Sequence, residues 1–145
     1  MKVYIIEDDY LKAQKILEFF NASLKDFEIS TLESFQSGLR AIQSNPPDLV
    51  ILDITLPTYD RREGSREGRQ RPLGGYDLMR KLLLNKINIP VIVVSQLETF
   101  GEGSDQLTFQ ELTEKCRHEF PHFFRGGVPF RQSDDGWKKS LTDLI

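Results

Sequence analysis

The chain has 145 residues, of which 39% are hydrophobic and 28% charged, and its formal net charge is −3. This balance is typical of one folded domain and excludes a disordered, fibrous or generally basic nucleic-acid-binding chain. The single cysteine excludes an internal disulfide framework, and no apolar run approaches the roughly 20 residues of a membrane span. The acidic residues Glu7, Asp8 and Asp9 come too early in the chain for a signal peptide, so we expect a cytoplasmic protein. We expect a single domain over residues 1–145.

Short apolar runs predict buried strands at Val3–Ile6, Leu49–Leu52 and Val91–Val94. Their continuous apolarity is typical of strands that helices cover on both faces. Two weaker strands are predicted at Phe27–Thr31 and His122–Phe124. The segments between the strands have helical spacing. A βα unit repeated five times implies right-handed crossovers and an open, doubly wound α/β sheet.

Several residues indicate where the helices begin and which side faces the core. Asp9 is a candidate cap of the first helix, and Thr108 with Glu111 fits a capping box at the start of the fourth. Cys116 and Trp137 are predicted on the inner faces of the fourth and last helices.

The strongest shift in amino-acid composition lies at about residues 59–72, from Tyr59 to Pro72. Five arginines stand there against three acidic residues, a local charge of +2 (five minus three). The segment is predicted to be a long exposed insertion beside the third strand. It is either a solvated loop or a segment that docks on an acidic partner or shields the site.

Acidic residues follow the predicted strands at the point where each strand ends. Glu7, Asp8 and Asp9 follow the first apolar run, and Asp53 and Ser95 follow the next two. Ligands of such sheets bind outside the carboxyl ends of the strands. Clustered carboxylates repel one another unless a cation lies among them, and oxygen ligands suit Mg²⁺. With a hydroxyl nearby, the set predicts phosphoryl transfer onto Asp53.

A structural interpretation exists for each of these residues, because Asp and Ser also cap helices and turns. It applies most directly to Asp9. Three such positions at the same end of three buried strands favour a functional site. His118 and His122 lack the neighbours and spacing of a zinc site.

Four motifs, in this order, resemble the receiver domain of two-component response regulators: Ile6-Glu7-Asp8-Asp9, Leu52-Asp53-Ile54-Thr55-Leu56-Pro57, Gly74-Gly75-Tyr76-Asp77-Leu78 and Val93-Val94-Ser95. The resemblance implies a flavodoxin-like (βα)5 three-layer sandwich with a parallel sheet in the order 2-1-3-4-5. It implies that Asp53 is the phosphoacceptor and Ser95 the switch hydroxyl. The implied Mg²⁺ ligands are Glu7, Asp8, Asp53 and the backbone carbonyl of Thr55.

The resemblance also implies a function in phosphorelay signal transduction. Such a domain takes its phosphoryl group from a histidine kinase or a histidine phosphotransfer protein and catalyses its own phosphorylation and dephosphorylation. It is a signalling module rather than a metabolic enzyme. We expect a stand-alone receiver that acts through contacts with a downstream protein, with a second copy of the chain among its candidate partners. Membrane and nucleic acid are not expected partners.

The chain departs from the family pattern after the fifth strand, where receivers carry a lysine before a proline-aromatic pair. Aligning Pro129-Phe130 places Val128 at the lysine position, whereas aligning the strand end places Arg125 there. We favour Arg125 as a substitute cation, although arginine is not equivalent to lysine. Receivers also carry an aromatic residue that takes part in the switch, and here His122, Phe123 and Phe124 are equal candidates for that position.

Two other functions are weighed against a phosphorylated receiver. The missing lysine favours a pseudo-receiver, a protein-interaction module that works without phosphorylation. The other candidate is a phosphohydrolase with Asp53 as nucleophile. It is disfavoured because Thr55 stands where such enzymes carry a second carboxylate.

Overall fold

The computed structural model describes residues 1–23, 25–61 and 70–145. Its long strands are β1 (Lys2–Ile6), β2 (Glu28–Leu32), β3 (Leu49–Leu52), β6 (Val91–Ser95) and β9 (Phe124–Pro129). The helices are α1 (Tyr10–Asn21), α2 (Phe35–Ser44), α3 (Gly74–Leu84), α4 (Phe109–Glu119) and α5 (Gly136–Leu144). Two short hairpins pair β4 (Leu56–Pro57) with β5 (Gln70–Arg71) and β7 (Thr99–Phe100) with β8 (Leu107–Thr108).

The five long strands form one parallel sheet in the order β2-β1-β3-β6-β9. This is the order 2-1-3-4-5 expected for the five repeats, so the predicted fold class is confirmed. The chain moves outward from β1 to β2 and then returns past β1 to β3. The carboxyl ends of β1 and β3 therefore flank the point where the strand order reverses, which is where open α/β sheets bind ligands.

Alternating residues of the strands supply two separate cores, one on each face of the sheet. Tyr4 and Ile6 of β1 pack into the core that α2, α3 and α4 cover. Val3 and Ile5 pack into the other core, which α1 and α5 cover and to which Trp137 belongs. A layer of helices on each face of the sheet gives the predicted three layers. Because both faces are buried, the strands are continuous apolar runs in the sequence.

The predicted helix starts are confirmed. The Asp9 side chain accepts a hydrogen bond from the Lys12 backbone N–H at 3.3 Å and caps α1. The Thr108 hydroxyl accepts from the Glu111 N–H at 3.1 Å, and Glu111 accepts in return from the Thr108 N–H at 3.0 Å. Cys116 is buried on the inner face of α4, as expected.

The prediction for the fifth strand was wrong in its bounds. We expected His122–Phe124, whereas β9 begins at Phe124 and continues to Pro129. Two glycines, which usually weaken a strand, lie inside it. Gly127 is required there because a Cβ at this position would lie 2.5 Å from Cγ2 of Thr113 on α4. The helix packs directly on the strand backbone, and sequence pattern alone does not reveal this close approach.

None of the helices among the described residues combines the length and apolar character needed to cross a bilayer.

Candidate functional site

Three carboxylates converge at the carboxyl edge of the sheet. Ile6 of β1 is in register with Leu52 of β3, so the residues that follow them, Glu7 and Asp53, leave the sheet side by side. Asp8 joins them, and one carboxylate oxygen of each residue lies within 4.8 Å of the other two. The predicted grouping of Glu7, Asp8 and Asp53 is therefore present in the structure.

Backbone N–H groups orient two of these carboxylates. Oε1 of Glu7 accepts from the Asp9 N–H at 3.0 Å, and Oδ1 of Asp53 accepts from the Ile54 N–H at 2.9 Å. Asp9 itself caps α1 and accepts from Nε2 of Gln96 at 3.1 Å. Asp9 therefore caps a helix, as the structural interpretation of this residue predicted.

The start of α3 presses against the backbone of Asp53. The Gly75 N–H donates to the Ile54 carbonyl at 2.7 Å. A Cβ on Gly75 would lie 2.2 Å from the Asp53 carbonyl oxygen, far inside van der Waals contact. Only glycine fits this approach, so the Gly74-Gly75 motif fixes the position of the loop that carries Asp53.

A buried lysine completes the site, and sequence reasoning missed it. The side chain of Lys12 on α1 is 1% exposed, and its Nζ lies 2.6 Å from Oε2 of Glu7 and 3.3 Å from Oδ1 of Asp53. Nζ also donates to the Val94 carbonyl at 2.7 Å. All three ammonium protons therefore have partners. A signal was available, because Lys12 precedes the core residue Ile16 by four positions and so lies on the buried stripe of the helix.

Burial and charge shift the ionisation of these groups. Desolvation and then the charge of Asp53 raise the pKa of Glu7 to about 8, although Lys12 offsets part of the effect. Desolvation also raises the pKa of Asp53, against the opposing effect of Lys12. Burial acts to lower the pKa of Lys12, but Asp53 and Glu7 outweigh it and the net shift is upward. The raised pKa values of Glu7 and Asp53 mean that Lys12 only partly offsets the cost of burying these two carboxylates.

The carboxylates line an open cleft of about 570 Å³. Thr55 also lines it, and its hydroxyl donates to the Pro72 carbonyl at 3.2 Å. The Thr55 hydroxyl is therefore engaged by the Pro72 carbonyl. Tyr10 and Leu97 form an exposed apolar rim.

Two predicted site residues do not line the acidic cleft. Ser95 is buried at the end of β6, where its Oγ accepts from the Leu97 N–H at 3.2 Å, and the residue lines a neighbouring cavity rather than the acidic cleft. Arg125 is the second residue of β9, so it lies toward the amino edge of a parallel sheet whose carboxyl edge carries the acidic cleft. Its exposed guanidinium donates to the Leu144 carbonyl at 3.3 Å.

These positions correct the expectation of a substitute cation at Arg125. The end of β9 is occupied instead by Val128, which is fully buried and in register with Val94. Of the alternatives for the switch aromatic, Phe123 and Phe124 are buried and His122 is exposed. All three lie at or before the start of β9, away from the cleft.

The two ends of the arginine-rich insertion reach the site. Nε2 of Gln70 donates to Oδ2 of Asp8 at 3.2 Å, and Nη2 of Arg61 lies 3.9 Å from the same oxygen. Residues 62–69, which include three of the five arginines, lie outside the described residues.

Comparison with known proteins agrees with this geometry. The family model for the response regulator receiver domain matches residues 3–106, and the chain belongs to this family. It is 30% identical over 147 residues to the Detocs response regulatory protein DtcB of Enterobacter cloacae, covering 100% of this chain and 96% of that protein. It is also 30% identical over 145 residues to the uncharacterized protein y4jR of Sinorhizobium fredii, covering 99% and 95%.

Solved structures share the fold. The receiver domain of the Francisella response regulator 1452 superposes with a TM-score of 0.63 at 19% identity, over 99% of this chain and 92% of that one. The Mn²⁺-bound form of the response regulator Rcp1 gives a TM-score of 0.65 at 14% identity, over 99% and 90%. The chain is thus a receiver domain of a signalling family, with an acidic group that could hold a metal ion.

Proposed function

We propose that the chain is a phosphorylated receiver that takes a phosphoryl group onto Asp53 in a Mg²⁺-dependent reaction. The donor is a phosphohistidine of a histidine kinase or a histidine phosphotransfer protein. The observation that carries this proposal is the convergence of Glu7, Asp8 and Asp53 within 4.8 Å, at the sheet edge where the strand order reverses.

The donor set fits a hard divalent cation. Its ligands would be one oxygen each from Glu7, Asp8 and Asp53 together with the Thr55 backbone carbonyl, and Mg²⁺ prefers such oxygen ligands with room for water. When bound, the cation would neutralise phosphoryl oxygens and the clustered carboxylates.

Asp53 supplies the nucleophile. Its Oδ1 accepts from the Ile54 N–H and faces Lys12, so we assign the attack on phosphorus to Oδ2. An O–P bond forms as the P–N bond to the donor imidazole breaks, and the departing nitrogen keeps the electron pair and then binds a proton. The product is an acyl phosphate on Asp53. Catalysis of this kind depends on positioning and charge neutralisation, which also suits self-catalysed hydrolysis by water.

The proposal extends to the biological setting. We place the protein in the cytoplasm as a single receiver over residues 1–145, with the insertion at about 59–72 beside the site. Its output would pass through contacts with a downstream protein, with Ser95 turning toward the phosphoryl group after transfer. A homodimer is one form that such contacts can take.

Phosphoramidate tests the proposal without a known kinase. The wild-type chain incubated with phosphoramidate and Mg²⁺ is expected to gain the mass of one phosphoryl group, whereas Asp53→Asn stays unmodified. Asp143→Asn, an exposed change on α5, is a matched control and should be labelled like wild type. The gain should disappear when EDTA replaces Mg²⁺.

The pseudo-receiver is the alternative outcome of this test. The observation that favours it is the buried Val128 at the end of β9, where the family carries a lysine. If the folded wild-type chain stays unmodified while a standard receiver is labelled in parallel, the pseudo-receiver stands and our proposal fails.

A further inference from the structure

A lysine on α1, rather than one on the last strand, contacts the candidate phosphoacceptor. Among the described residues, Lys12 is the cation whose Nζ lies within 4.0 Å of the Asp53 carboxylate, at 3.3 Å from Oδ1. Its side chain is almost fully buried, and burying an ammonium group is costly unless it is paired. The three partners of Nζ are Glu7, Asp53 and the Val94 carbonyl, which belong to the ends of β1, β3 and β6.

We propose that Lys12 binds the phosphoryl group transferred to Asp53 and replaces the lysine that is missing from the end of β9. This inference rests on the proposed function. A phosphoryl group on Asp53 brings oxygens to the carboxylate that Nζ already contacts. A buried, positioned cation beside these oxygens stabilises the charge of the transition state and of the product. Lys12 keeps its proton throughout and makes no covalent bond.

Because this lysine lies on α1 rather than at the end of β9, phosphorylation would act first on different elements of the fold. Lys12 lies in the first turn of α1 and holds the Val94 carbonyl, directly before Ser95. A phosphoryl oxygen competes for the same ammonium protons, so binding it weakens the contacts with Glu7 and Val94. We therefore expect phosphorylation to alter the start of α1 and the end of β6 together, without a charged residue at the end of β9.

Variants at two lysines of α1 test the proposal. Lys12→Gln removes the buried charge, whereas Lys15→Gln removes a half-buried charge one turn later, whose Nζ donates to the Gln132 carbonyl at 3.0 Å. With phosphoramidate and Mg²⁺, Lys12→Gln should be labelled at least about tenfold more slowly than wild type, since losing one transition-state donor commonly costs this much or more. Lys15→Gln should stay within about twofold, as expected for a surface change.

The outcomes separate this inference from the proposed function. An unlabelled wild-type chain contradicts the proposed function itself. A labelled wild-type chain with an equally labelled, folded Lys12→Gln overturns the role of Lys12 alone. Circular dichroism and thermal melting establish that each variant is folded at the labelling temperature.

A measurement on the wild-type chain covers the case in which Lys12→Gln does not fold. Beryllofluoride with Mg²⁺ mimics a phosphoryl group on a carboxylate, and ¹⁵N NMR follows each lysine ammonium group. We expect the Lys12 ammonium signal to shift together with the Ile54 amide, while the Lys15 signal stays in place. A shifted Ile54 amide with an unchanged Lys12 signal overturns the inference. A purely structural salt bridge would give that result.

Discussion

Nε2 of Gln70 donates a hydrogen bond to Oδ2 of Asp8 across 3.2 Å. A residue near the end of the arginine-rich insertion therefore holds a carboxylate of the candidate metal site. Groups that orient a metal ligand contribute to metal affinity although they do not touch the ion. The insertion is thus coupled to the acidic cleft through its described ends.

Replacing Gln70 should weaken the metal site. We expect Gln70→Ala to lower the affinity for Mg²⁺ by up to about tenfold, the lower end of what an outer partner of a ligand contributes. Isothermal titration calorimetry measures this directly. Gln43→Ala, an exposed change on α2, should bind Mg²⁺ like wild type. Unchanged affinity in Gln70→Ala would mean that Asp8 is held without help from the insertion.

Gly75 should be intolerant of any side chain. The added methyl group of Gly75→Ala would meet the Asp53 carbonyl oxygen at 2.2 Å, so α3 or the Asp53 loop must move. Overpacking of this kind costs about 1–3 kcal/mol, and we expect the free energy of unfolding to fall by that amount in urea titrations. Labelling by phosphoramidate should fall as well, because Asp53 is displaced.

Gly136→Ala is the matched control for this change. Among the residues that the structure describes, a Cβ there meets Oδ1 of Asp134 alone, at 3.3 Å, and Asp134 is an exposed side chain that can move. We expect wild-type labelling and nearly wild-type stability. Equal effects of the two substitutions would contradict the proposed role of the Gly75 contact.

Ser95 should matter after phosphoryl transfer rather than during it. Because Ser95 lines a neighbouring cavity and its Oγ accepts from the Leu97 N–H, Ser95→Ala should slow labelling by less than about tenfold, below the usual cost of a transition-state donor. The variant should instead lose the shifts that beryllofluoride causes in the amide signals at the end of β6. Abolished labelling in a folded Ser95→Ala would place the hydroxyl in the chemical step.

The sheet and its acidic edge were predictable because both follow from short-range pattern. Continuous apolar runs identify strands covered on both faces, and parallel strands bring the residues after them to one edge. Glu7, Asp8 and Asp53 could therefore be grouped from three stretches of sequence. The capping residues Asp9 and Thr108 were equally local signals.

The bounds of the fifth strand were wrong and Lys12 was missed because both depend on tertiary contacts. Gly127 weakens a strand by its own propensity, and its packing against Thr113 explains why it is there. A lysine in an amphipathic helix ordinarily lies on the solvated face. The four-residue spacing from Lys12 to Ile16 indicated burial, but only the structure shows which carboxylates compensate its charge.

Reductive trapping of the acyl phosphate tests the central claim most directly. Borohydride reduces a phosphorylated aspartate to homoserine, and peptide mass spectrometry locates the altered residue. After treatment with phosphoramidate and Mg²⁺, we predict homoserine at position 53 in the wild-type chain and none in the chain incubated with EDTA. Homoserine at position 8, the longer alcohol 2-amino-5-hydroxypentanoic acid at position 7, or no reduced residue in a folded, treated protein would contradict the assignment of Asp53 as the phosphoacceptor.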